Sequence, residues 1–207
     1  MIDTAKYGSW ALVAGGSEGV GAEFAQLLAE AGLNLVLVAR KPDPLQHTAE
    51  RCRQHGGEVR TVQADLSAPD ACESIAAATS GLEVGLLILV AGANTHSHEF
   101  LDGDLAGFQQ VIDLNVSTPL ALVHHYGQAM RSRRRGGIVL LGSLAGYLGS
   151  VRQTVYGGVK AFTRIFAEGL WLELRDHGVD VLELILGVTR TPAMDGVAWT
   201  PDLDAAP

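Results

Sequence analysis

Tyr156 and Lys160 stand four residues apart in Tyr156-Gly157-Gly158-Val159-Lys160, and Ser143 lies 13 residues before the tyrosine. If the pentapeptide is helical, its phenol and its ammonium share one face. A phenol, an ammonium and a hydroxyl that converge can exchange a proton with a carbonyl or alcohol oxygen. Alone the pentapeptide proves little, because any helix surface can carry Tyr and Lys at this spacing. Its weight comes from what precedes it.

Gly15-Gly16-Ser17-Glu18-Gly19-Val20-Gly21 follows directly on the apolar run Trp10–Ala14. Glycines at 15, 19 and 21 permit a tight turn with positive φ, and their missing side chains let backbone N–H groups approach a pyrophosphate. A helix starting there aims its N-terminal dipole at the anion. A glycine-rich turn between a strand and a helix therefore points to a dinucleotide. The end of the next apolar run selects the type. A free ribose 2′-hydroxyl is met by Asp or Glu about 20 residues past the glycines. This chain has Arg40-Lys41 instead. Arg40 can clamp a 2′-phosphate and stack on adenine, and Ser17 can add a hydroxyl. The expectation is NADP(H) over NAD(H).

The elements that must position these groups alternate. Strands are expected at Trp10–Ala14, Leu33–Ala39, Glu58–Gln63, Leu86–Ala91, Ile138–Leu141 and Val179–Leu184. Helices are expected over 19–31, 43–55, 69–79, 104–134 and 152–177, the fourth interrupted near Ser117-Thr118-Pro119. Strands apolar on both faces, alternating with helices, imply a doubly wound parallel α/β sheet of the Rossmann type, helices on both faces. No internal repeat or composition shift divides residues 1–207, so one domain is expected.

Net charge is −8, with 15 basic against 23 acidic residues, which argues against a general nucleic-acid partner. The longest apolar runs are far too short to span a bilayer. Met1 to Tyr7 contains Asp3 and no signal core, so a cytoplasmic protein is expected. Cys52 and Cys72 form no ligand pattern and read as reduced thiols. His96 and His98 suggest a metal pair, but their position after the fourth strand fits the rim of a substrate site better. The arginines at 131 and 133–135 read as a solvated helix end complementing the dipole.

Taken together, the chain resembles the short-chain dehydrogenase/reductase family over nearly its whole length. Gly15, Gly19 and Gly21 match its glycine motif, and Asp65-Leu66 looks like its adenine contact. Ala91-Gly92 matches the end of its Asn-Ala-Gly motif, and Asn115 its helix asparagine. Ser143, Tyr156 and Lys160 match its catalytic set, and Gly187 to Thr191 the segment that closes over the nicotinamide. The resemblance implies carbonyl–alcohol interconversion by hydride transfer, with Tyr156 as general acid or base and Ser143 holding the substrate oxygen. Lys160 would lower the phenol's pKa of about 10 and hold the nicotinamide ribose. Asn115 would hold a water that links Lys160 to solvent. Val188, Thr189 and Thr191 would contact the cofactor. No metal is needed, and the partner is a small carbonyl or alcohol. A homodimer or homotetramer through the two long helices is implied.

The pattern is broken at Val90, where the family has Asn, and at Leu186, where it has Pro. A small stability change and a less rigid loop are the expected consequences. The sequence ends 15 residues past Pro192. The family's substrate-covering loop, further helix and last strand are thus expected to be short or missing. That shortness keeps open a non-catalytic dinucleotide sensor or scaffold on the same fold, although a binding module has no use for Asn115, Ser143, Tyr156 and Lys160 together.

Overall fold

The computed structural model describes residues 2–187 and residue 189. Six strands run β1 Trp10–Ala14, β2 Asn34–Ala39, β3 Val59–Gln63, β4 Val84–Leu89, β5 Gly136–Ser143 and β6 Val179–Leu186. Every pairing is parallel, in the order β3-β2-β1-β4-β5-β6. The order reverses between β1 and β4, and in such sheets ligands bind beyond the strands' C-terminal ends at that reversal. Gly15, Ala91 and Ser143 follow or end β1, β4 and β5, so all three come to this edge.

All residues of β1 and β4 are buried, as their unbroken apolar runs require when helices cover both faces. Two cores result. One packs Leu12, Val36, Leu87, Leu122, Met130, Ile138 and Leu174. The other packs Ala25, Leu28, Leu35, Leu37, Leu45 and Ile88. The helices are α1 Thr4–Tyr7, α2 Gly19–Glu30, α3 Pro42–Arg53, α4 Ala71–Ala78, α5 Leu105–Ile112, α6 Thr118–Arg133 and α7 Thr154–Leu174.

Three departures from expectation stand out, beside shifts of one to three residues at other element ends, such as β4 at Val84–Leu89 where Leu86–Ala91 was expected. The sequence pattern showed no sign of α1. Asp3 caps it through Ala5 and Lys6 N–H groups, and Tyr7 Oη donates to Asp180 Oδ2 at 2.6 Å. Tyr7 lies against Gly85 and Gly137, where any Cβ would collide with it. β5 therefore begins at Gly136-Gly137, two residues earlier than the apolar run suggested. Finally, the interruption expected near Ser117-Thr118-Pro119 is a π-turn and not a helix stop. α5 runs through a π-turn, Asp113–Ser117, straight into α6. Proline lacks an N–H and its ring crowds the carbonyl four residues back, so one wide turn before it lets the helix continue.

Candidate active site

The glycine turn is held by contacts only glycine allows. Gly15 has φ +93, and a Cβ there would lie 2.7 Å from the backbone N of Ala91. A Cβ on Gly21 would overlap the Gly15 carbonyl. Gly15 and Gly16 N–H groups both donate to the Val38 carbonyl, at 2.8 and 3.1 Å. From α3, Thr48 Oγ1 donates to the Ser17 carbonyl at 2.9 Å and pins the middle of the turn. The buried threonine carries no sequence signal for this role. Glu18 precedes α2, whose first turn holds Gly19, Val20 and Gly21, and Gly19 also takes positive φ, +54. The dipole of this twelve-residue helix thus points into the sheet edge. A pyrophosphate suits this turn and helix start, whose close backbone packing a side chain at 15 or 21 would force apart.

Arg40 and Lys41 end β2 but are not equivalent. Lys41 Nζ is 3.0 Å from Glu18 Oε2, so its charge is already matched. The Arg40 side chain is 69% exposed and only 4.0 Å from Asp65 Oδ2. Asp65 accepts from Ser67 N and Oγ, which with Arg40 hold its carboxyl below the usual range. Leu66 is buried and, with Ala14, Ala91, Leu114 and Pro119, lines a small apolar recess beside the turn. Val90, in the place of the family's Asn, is buried among apolar side chains, and its N–H still reaches the Ala14 carbonyl.

At the other end of the crevice the π-turn holds Asn115 buried. Its Nδ2 donates to the carbonyls of Val111 at 2.9 Å and Ala93 at 3.2 Å. A Cβ on Gly92 would sit 2.7 Å from Asn115 Oδ1 and 2.9 Å from Lys160 Nζ. Those two polar atoms therefore share one small space, kept open by a glycine. Lys160 is 3% exposed, and its Nζ donates to the Leu141 carbonyl at 2.9 Å. Burial pulls its pKa down to about 8, against the raising effect of Glu183.

Ser143 closes β5 and accepts from Ala145 N at 3.2 Å, capping a short turn over Leu144–Gly146. Two glycines let that turn rest on α7. A Cβ on Gly146 would strike the Lys160 backbone, and one on Gly157 would lie 3.1 Å from the Ala145 carbonyl. This fixes Ser143 beside the start of α7, which carries Tyr156 and Lys160. The expected lowering of the tyrosine is not what these surroundings produce. Burial raises the Tyr156 pKa, and the Ser143 hydroxyl only partly offsets it. The Lys160 ammonium is turned to Leu141, with Nζ 5.6 Å from the ring centre.

His96 braces the loop instead of standing free. Its Nε2 accepts from Asp104 N at 3.1 Å, and its ring meets Phe108 edge-on. Among the described residues no group of three His, Cys, Asp or Glu side chains could hold a metal ion. Thr189 Oγ1 donates to the Gly187 carbonyl at 3.2 Å. Val188 and Thr191 lie outside the described residues.

Residues 9–200 match the family model described as short chain dehydrogenase. Over 190 residues the chain is 35% identical to a 7beta-hydroxysteroid dehydrogenase of Collinsella aerofaciens, spanning 91% of this chain and 72% of that protein. The solved structure of a 7beta-hydroxysteroid dehydrogenase superposes with a TM-score of 0.89 at 35% identity, over 97% of this chain and 78% of that one. An NADPH complex of a short-chain dehydrogenase from Sphingobium yanoikuyae gives 0.85 at 31% identity, over 90% and 73%.

Proposed function

The chain belongs to the short-chain dehydrogenase family, an oxidoreductase of the C=O and CH–OH class, and from that premise we propose that it uses NADP(H), with Tyr156 as its general acid and base. The observation that carries this reading is the placement of Lys160. A lysine buried to 3% exposure beside Asn115 and one turn from Tyr156 is costly to keep unless its charge is used.

A bound nicotinamide supplies the hydride to a carbonyl carbon, or accepts it in reverse. Tyr156 Oη holds the proton that the substrate oxygen takes as negative charge grows there. Its raised pKa keeps it protonated at neutral pH, ready to donate. Ser143 Oγ hydrogen-bonds the same oxygen and stabilises its charge. Lys160, charged below about 8, holds the ribose and favours the phenolate left behind. Asn115 Oδ1, in the same space as Nζ, is the acceptor for a relay water. The N–H groups of 17–21 would hold the pyrophosphate, those of Gly15 and Gly16 being bonded to Val38, with Ser17 and Arg40 meeting a 2′-phosphate and Asp65-Leu66 and Ala91-Gly92 the adenosine. Thr189, with Val188 and Thr191 from outside the described residues, would contact the nicotinamide end of the cofactor.

The turn after Ser143 presents Leu144, Tyr147, Leu148 and Val151 exposed, an apolar wall beside the reacting groups. With the steroid-acting relatives, this supports a bulky apolar ketone or secondary alcohol as substrate. Exposed Phe162 and Ile165 on α7 support a helix-paired homodimer or tetramer, checked by light scattering after size exclusion. No described helix is long and apolar enough to cross a membrane, and a cytoplasmic setting is part of this reading.

The test is NADPH oxidation against a panel of steroid ketones, smaller ketones, aldehydes and quinones. Turnover of a bulky ketone supports the reading. Tight NADPH binding with no turnover across the panel would replace it with the dinucleotide sensor.

A further inference from the structure

Glu183 is a carboxylate in a place where the fold has little use for one. It lies on β6 opposite Leu140 of β5, two residues past Val181, on the face that α7 covers. Arg164, Ala167, Glu168 and Trp171 of α7 line the cleft above it. Its side chain lies against Gly142, where any Cβ would run into it. Glu183 Oε1 is buried and meets no hydrogen-bond donor among the described residues. A buried carboxylate oxygen without a donor costs free energy unless nearby charge compensates it.

Two cations on α7, one turn apart, lie near it without a direct ion pair: Arg164 lines the same cleft, and Lys160 reaches the backbone beside Gly142. Lys160 Nζ donates to the carbonyl of Leu141, the residue just before Gly142. Arg164 lies 4.4 Å over the Tyr147 ring. Both favour the charged carboxylate, against the burial that raises its pKa, and the carboxylate in turn raises the Lys160 pKa. Among the described residues, the other titratable groups near Lys160 or the cleft are Tyr156 and Glu168 of α7 and Tyr147, whose ring lies under Arg164. From the other elements around Nζ come Asn115 and Gly92, neither of them charged.

We propose that Glu183 is a positioning residue for Lys160: its carboxylate, set against Gly142 next to the Leu141 carbonyl that Nζ meets, holds the ammonium there by charge, while Arg164 of the same cleft competes for it. The proposal rests on the catalytic reading of Lys160, yet it can be tested without activity. The sequence contains three lysines, Lys6, Lys41 and Lys160. Protein labelled with 13Cε-lysine therefore gives three resonances, and Lys160→Met assigns the third.

Titration of the free protein should show Lys160 deprotonating at lower pH in Glu183→Gln, by about threefold or more in proton affinity. Arg164→Gln should move it the opposite way, and Glu183→Asp should recover part of the wild-type value. The alkaline limb of kcat should follow the same order. A Lys160 midpoint unchanged in folded Glu183→Gln overturns the proposal. So does an unchanged or lowered midpoint in folded Arg164→Gln, which carries the test if the first variant does not fold. Shifted midpoints in a protein that turns over no ketone support the positioning role and overturn only the catalytic reading.

Discussion

The Nζ of Lys160 stands 5.6 Å from the centre of the Tyr156 ring and spends its hydrogen bond on Leu141, not on the phenol. Its influence on Tyr156 is therefore that of a charge at a distance, and it lasts only while the lysine stays protonated. Lys160 loses its proton as pH rises through about 8. Turnover in the reductive direction should hold through neutral pH and fall above about 8. A kcat profile flat well into the alkaline range would contradict this.

Burying Lys160 has a stability consequence of definite sign. Its folded pKa of about 8 lies below the ordinary 10.5. Between those values the unfolded chain binds more protons, so stability from this group rises with pH across that window and is lowest below it. The displacement corresponds to about 3 kcal/mol at neutral pH, offset by the bond to Leu141, worth about 1–2 kcal/mol. Lys160→Met should therefore abolish turnover while changing urea stability at neutral pH by less than about 2 kcal/mol, because the gain from removing the buried ammonium is opposed by loss of the Leu141 bond and of the charge beside Glu183.

The two cations after β2 should separate by experiment. Arg40 is exposed beside Asp65, whereas Lys41 is already paired with Glu18. Arg40→Ala should reduce the preference for NADPH over NADH in kcat/KM by about tenfold or more, as expected for losing a charge-assisted phosphate clamp. Lys41→Ala should have the smaller effect. Equal losses would mean that Arg40 is not the phosphate ligand.

The glycines of the turn rank by what a methyl group would meet. At Gly21 it meets the Gly15 carbonyl, and at Gly15 it meets Ala91 with φ already at +93. Either alanine variant should cost more than about 2 kcal/mol in thermal or urea unfolding and weaken NADPH binding. Gly149→Ala, with nothing within 4 Å, should change neither.

Much of this arrangement was legible in local sequence, because local physics dominates there. Trp10–Ala14 is apolar throughout and forms β1 with those bounds. The glycines at 15, 19 and 21 mark a tight strand–helix junction, which the close approaches at Gly15 and Gly21 bear out. What escaped depends on distant partners. Gly136-Gly137 reads as a helix stop, yet both residues belong to β5 because they pair with Val179 and Asp180 of β6, and Tyr7, far back in the chain, packs against Gly137. Pro119 reads as a break, but the π-turn before it absorbs the ring. The pairing of Lys41 with Glu18 and the Thr48 bond to Ser17 join residues more than 20 apart in sequence, and no periodicity announces them. Lys160 was expected to lower Tyr156, and only its depth and its bond to Leu141 show where its charge is directed.

The central claim is that Tyr156 gives and takes the substrate's proton, and Tyr156→Phe tests it most directly. The substitution removes one hydroxyl and leaves the glycine turn, Arg40 and Lys160 in place. NADPH affinity, measured by fluorescence titration, should stay within about twofold, while kcat on the best ketone of the panel should fall by about a hundredfold or more. A folded Tyr156→Phe protein that reduces the ketone at a near wild-type rate would contradict the account.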